Sequence, residues 1–143
     1  MSNVRIFVSY DTEHDADLLT EIRRQSESSG FEVSACSQRI SGREFWSEGA
    51  RREIRGSDLV IFLCGERTED SKSMSAELQI SNEEQIPHFM LWGRAGIQCT
   101  KPHGSKSHEG MYSWTRPILL EQISLIRRSL GPAASPGSGK EPS

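Results

Sequence analysis

One carboxylate, Glu77, stands in the surroundings that chemistry needs. It lies in the segment SDLVIFLCGERTEDSKSMSAELQIS, where an apolar run from Leu59 to Cys64 ends at Gly65, a polar stretch follows from Thr68 to Ser73, and helical spacing then begins. The run reads as a strand buried on both faces. The helix starts near Lys72 to Met74, sets Met74, Leu78 and Ser81 on one side, and holds Ser75 and Glu77 near its first turn. Ligands of parallel α/β sheets collect outside the carboxyl ends of the strands, so Glu77 is expected at the rim, where a carboxylate can act on a bound molecule. The competing reading is a solvated glutamate favoured by the helix dipole.

Other chemistries find little support. No GxGxxG follows the first strand and no GxxxxGK[ST] occurs, which removes a dinucleotide fingerprint and a P-loop. GxSxG and HExxH are also missing, and His14, His88, His103 and His108 are scattered without metal-ligand partners, so no metal is expected. Cys36, Cys64 and Cys99 are odd in number, widely spaced and form no CxxC, as suits a reducing cytoplasm; Cys64 reads as a small buried apolar residue. A net charge of -3, with no lysine-rich or arginine-rich run, argues against bulk electrostatic binding to nucleic acid. The amino-terminal residues show no basic leader or apolar signal core, and no stretch approaches a membrane span, so a soluble, cytoplasmic protein is expected.

The elements that must position Glu77 alternate along the chain. Its 143 residues suffice for one domain, expected over 1–130, with the Pro, Gly and Ser-rich 131–143 a disordered tail. Val4 to Tyr10 is a first strand; His14 to Ser28 is a helix that Asp11 or Thr12 can cap; Phe31 to Ala35 is a short second strand. Cys36 to Arg43 is a polar loop, Phe45 to Arg55 a second helix, and His88 to Trp92 a fourth strand entered through Pro87. Gly93 to Gly110 is a long loop, of a length that is usually functional, and a last helix is expected over Trp114 to Leu130. Four strand-helix units with right-handed crossovers give a single three-layer α/β domain with a parallel, flavodoxin-like sheet.

Two stretches together resemble a known family. The opening VRIFVSYDTEHD and the central segment around Glu77, followed by IPHFMLW, are similar in order and spacing to Toll/interleukin-1 receptor (TIR) domains over about residues 3 to 128. The resemblance is nearest to stand-alone bacterial TIR-like proteins, including those of Thoeris-type antiphage defence, in which NAD is cleaved and a cyclic or conjugated ADP-ribose messenger is released. It implies the TIR fold, NAD as substrate rather than cofactor, self-association, and a separate effector protein that senses the product; no nucleic acid or membrane partner is implied. A non-catalytic TIR interaction module is the alternative.

By position, the resemblance makes Glu77 the catalytic glutamate, holding the nicotinamide ribose hydroxyls and stabilising the charge that develops as nicotinamide leaves. It puts Ser9, Tyr10 and Ser75 on the substrate's side. Arg39 and Arg43 fall in the equivalent of the BB loop, where a guanidinium can pair with pyrophosphate, and Trp46 follows as a stacking surface. Met74 departs from the family pattern, since many catalytic members carry Trp or Cys three residues before the glutamate. Ile40, Ser41 and Gly42 also replace the usual Pro-Gly pair of the loop.

Overall fold

The computed structural model describes residues 4–35 and 43–130, with the side chains of 43–47 and of 129–130 outside the description. Five strands and four α-helices occur in these residues: β1 (Val4–Ser9), α1 (Ala16–Ser29), β2 (Phe31–Ser34), α2 (Arg43–Arg55), β3 (Leu59–Cys64), α3 (Lys72–Glu83), β4 (His88–Trp92), β5 (Met111–Ser113) and α4 (Arg116–Leu130). All strand pairs are parallel, in the order β2-β1-β3-β4-β5. This is the flavodoxin-like order that the alternation of elements predicts. The chain turns to opposite sides after β1 and after β2, so the crevice between β1 and β3 is the switch point of the sheet.

Strand alternation divides the core into two layers. Val4, Ile6 and Val8 of β1, and Tyr10 just after it, pack with Leu18 and Ile22 of α1 and with Leu119 and Ile123 of α4 on one face. Phe7 packs on the other face with Ala50 and Ile54 of α2 and with Met74, Leu78 and Ile80 of α3. All six residues of β3 are buried, because both of its faces are covered by helices. Burying each Leu, Ile, Phe or Met side chain in these layers contributes about 1.5–3 kcal/mol.

Several boundaries differ from the sequence expectation. The strand β5 adds to the edge of β4 through Met90 and Met111, Leu91 and Tyr112, and Trp92 and Ser113. It is three residues long and none of its residues is fully buried, so it leaves no apolar run to read. The helix α2 begins at Arg43, which therefore belongs to the helix and not to the preceding loop; α4 begins two residues after Trp114. The cap of α1 is Asp15, not Asp11 or Thr12, and its side chain makes no capping bond. Asp11 instead accepts from the amide of Glu13 and pairs with the His14 ring. Residues 36–42 and the expected tail, 131–143, lie outside the described residues.

Candidate active site

The helix α3 is set by its first turn and its apolar side. Ser71 caps it, its hydroxyl accepting from the Met74 amide at 3.3 Å, while Met74 and Leu78 are almost fully buried against the sheet. Glu77 lies between these two anchors in the second turn, so its carboxylate is carried inward. It is 4% exposed. The reading as a solvated glutamate is thereby corrected: the apolar residues that seat the helix take Glu77 beneath the surface with them.

Ser9, the last residue of β1, is equally buried and donates its hydroxyl hydrogen bond to Glu77 Oε1 at 2.5 Å. A strand end and a helix separated by 68 positions thus meet through one hydroxyl and one carboxylate beside the switch point of the sheet. Burial raises the Glu77 carboxyl from its ordinary value of 4.5 to about 8, and the Ser9 hydrogen bond offsets only part of that desolvation. The group is therefore mainly protonated at neutral pH. A positive charge brought close to it would favour the ionised form.

The other expected site residues divide. Tyr10 follows Ser9 and consequently points to the opposite face, where it is buried with Val8 and Ile22. The structure does not bring it to Glu77. Ser75 is half-buried, and its hydroxyl donates to the carbonyl of His103 at 3.0 Å. It thus fastens α3 to the long loop. Arg43 and Trp46 stand in the first turns of α2, on the same face of the sheet as α3, but their side chains fall outside the described residues, as does all of Arg39.

The loop from Gly93 to Gly110 is packed rather than open. The Gly93 and Thr100 amides donate to the carbonyls of Cys64 and Gly65 at 2.8 and 2.9 Å, Cys99 and Pro102 are buried, and Lys101 Nζ donates to the Glu109 carbonyl at 2.6 Å. Gly93 is required by this docking, since a Cβ there would come within 2.7 Å of the Cys64 carbonyl oxygen and of Leu18 Cδ1. His103 and His108 are exposed on this loop. Among the described residues no group of three His, Cys, Asp or Glu side chains can hold a metal ion, and no helix is long and apolar enough to cross a membrane.

Above the carboxyl ends of β1 and β3 lies a groove of about 480 Å³, lined by Asp11 to His14 on one wall and by Arg67 and Asp70 to Ser73 on the other. Sequence reasoning missed what holds the first wall. Arg94, after β4, donates to the carboxylates of both Asp15 and Asp17 and to the His14 carbonyl. Asp15 is 2% exposed and its carboxylate lies against Gly65, where a Cβ would meet Oδ2 at 2.3 Å. No local pattern marks an ion pair between residues 79 positions apart.

Solved structures resolve the likeness of this architecture. The TIR domain of the Toll-related receptor TRR-2 from Hydra magnipapillata superposes with a TM-score of 0.66 at 16% sequence identity, over 86% of this chain and 98% of that one. This chain has the TIR-domain fold. At this identity the likeness is one of fold, and in the TIR fold observed here the switch-point crevice is where Ser9 and Glu77 meet. No protein-family model matches the sequence, and no curated protein matches it.

Proposed function

We propose that this protein is a NAD-processing TIR enzyme that breaks the bond between nicotinamide and ribose and yields an ADP-ribose-derived signal. The reading rests on one observation: Glu77 is a buried carboxyl whose partner is the Ser9 hydroxyl, at the switch point of the sheet. The nicotinamide ring of NAD is cationic, and its approach would favour the ionised form of Glu77. The carboxylate would then accept the ribose hydroxyls and stabilise the positive charge that grows at the anomeric carbon. The electron pair of the carbon-nitrogen bond leaves with nicotinamide, which departs neutral. The ADP-ribosyl cation is captured by water, by its own adenine or ribose, or by a third molecule.

Arg39 and Arg43 would pair with the pyrophosphate, and Trp46 would stack on a ring. Self-association would order the site, and a separate effector in the cytoplasm would read the product as part of antiphage defence. The alternative is a TIR interaction module without chemistry. Met74 favours it: the position that many catalytic relatives fill with Trp or Cys here holds a fully buried methionine that packs the core instead of facing a substrate. Chromatography with mass detection decides between the two. Loss of NAD with concentrated wild-type protein, abolished in Glu77→Gln, supports the enzyme; no loss even with an extract of phage-infected cells supports the module.

A further inference from the structure

The groove above the carboxyl ends of β1 and β3 carries a pair of side chains that the chemistry of Glu77 leaves unused. Asp11 and His14, both on its first wall, meet at 2.9 Å through Asp11 Oδ2 and His14 Nδ1. Asp11 is 6% exposed, and its other oxygen, Oδ1, accepts from the Glu13 amide at 3.0 Å. Both carboxylate oxygens are thus engaged, which fixes the orientation of the group. The backbone around the ring is held as well: the Asp15 amide donates to the Asp11 carbonyl at 2.8 Å, and Arg94 donates to the His14 carbonyl at 3.2 Å. The imidazole is more open, with a side-chain exposure of 47%.

A carboxylate only accepts hydrogen bonds, so this contact selects the neutral tautomer that carries its proton on Nδ1. The lone pair is then on Nε2. Among the described residues nothing is hydrogen-bonded to that nitrogen. An imidazole oriented by a carboxylate at one nitrogen and open at the other is equipped to act as a general base. Both walls of the groove lead to Glu77. Asp11 lies two residues beyond Ser9, whose hydroxyl holds the Glu77 carboxyl. Ser73, on the second wall, precedes Glu77 by four residues and so shares its side of α3, about 6 Å away along the helix axis.

We infer that His14, oriented by Asp11, is the general base of the capture step, and that the ADP-ribosyl cation is therefore taken by an O–H nucleophile, water or a hydroxyl, and not by a nitrogen of adenine. The inference rests on the NAD reading of Glu77 and names the acceptor which that reading leaves open. A lone pair of the nucleophile's oxygen forms the bond to the anomeric carbon, the O–H electron pair stays on that oxygen, and the proton passes to Nε2, which later releases it to solvent. The electron pair of the broken carbon-nitrogen bond has left with nicotinamide, so the step needs no further reactant. His14 touches the nucleophile and is a catalytic residue; Asp11 acts through it and is a positioning residue. A pyridine nitrogen has no proton to lose, so its attack on the same cation does not draw on the base.

That difference supplies the test. Full-length protein receives NAD together with 3-acetylpyridine, and chromatography with mass detection separates oxygen-linked ADP-ribose products from the dinucleotide in which the pyridine has replaced nicotinamide. Wild type should form both and Glu77→Gln neither. His14→Asn, whose amide keeps a donor for Asp11, should lower the ratio of oxygen-linked to exchanged product by roughly tenfold or more, and Asp11→Asn by roughly threefold. In His14→Ala, added imidazole should raise the lowered ratio again. Because the readout is a ratio, a general loss of activity in a variant does not move it. An unchanged ratio in His14→Asn, or a wild-type product linked only through an adenine nitrogen, would overturn the inference and leave the cleavage reading standing. No nicotinamide release by wild type would instead remove the cleavage reading, and the base with it.

Discussion

The middle and the carboxyl end of α3 carry glutamates with opposite fates. Glu77 is buried beside a hydroxyl and its carboxyl rises to about 8. Glu84, the cap seven positions on, receives Arg51 at 2.7 Å and Arg55 at 3.0 Å, and its carboxyl falls to about 2. The helix itself is not the cause, since both groups belong to it. What differs is the partner: a guanidinium stabilises the charge, whereas apolar packing with a lone hydroxyl penalises it. The carboxyl end of the helix is therefore arranged for stability, while its middle retains a group whose ionisation the fold resists. Unfavourable placement of this kind clusters at functional sites.

The comparison is broken most severely at Glu77. Glu77→Gln keeps the shape and an acceptor for Ser9 but removes the ionisable group, and NAD turnover is expected to fall by roughly 10²-fold or more while the fold persists. Turnover at the wild-type rate, measured by chromatography beside circular dichroism, would end the catalytic reading.

The next effect is on stability. The native Glu77 titrates near 8 against 4.5 in the unfolded chain, so the native state binds the extra proton between these values and its stability falls as pH rises through that window. The loss from this one group is on the order of 3–5 kcal/mol at its upper end. Urea unfolding of Glu77→Gln should lack this slope and show a more stable protein at pH 8 than wild type; parallel curves for the two proteins would show that burial of the charge is not the cause.

Ser9→Ala sharpens the comparison further by withdrawing the one hydrogen bond that favours the charged form. The titration of Glu77, read from its side-chain carboxyl carbon by NMR, should move upward, and NAD turnover should decline by roughly tenfold. An unmoved titration would remove Ser9 from the site.

The smallest effect belongs to the carboxyl end of α3. Glu84→Ala should lower the melting temperature by about 1–2 °C at low salt, less at high salt, and leave NAD turnover unchanged. The sign with pH is opposite to that of Glu77. The depressed carboxyl of Glu84 supports the fold above its ordinary 4.5, and that support is lost as pH falls toward 2. A large change in turnover in this variant would mean that the carboxyl end of α3 is coupled to Glu77 in its middle.

Much of this arrangement is legible in the chain. Leu59 to Cys64 reads as a strand covered on both faces because nothing polar interrupts it, and the structure buries all six residues. Met74, Leu78 and Ser81 recur on one side of a helix, and that side is the buried one. Glu77 is identifiable by its place in this segment, but the depth at which it sits is not, since nothing among Ser75, Ala76, Leu78 and Gln79 marks a partner for a buried carboxyl. β5 is invisible because three partly exposed residues make no pattern. The pairing of Ser9 with Glu77 and of Arg94 with Asp15 each joins distant parts of the chain.

The sequence by itself determined the elements and their order, since apolar periodicity, glycine stops and short connections act over a few residues. Tertiary structure alone decided the charge of Glu77 and the engagement of Arg94. The physical reason is that desolvation and ion pairing depend on what surrounds a group in space, and for these residues that comes from parts of the chain up to 80 positions away.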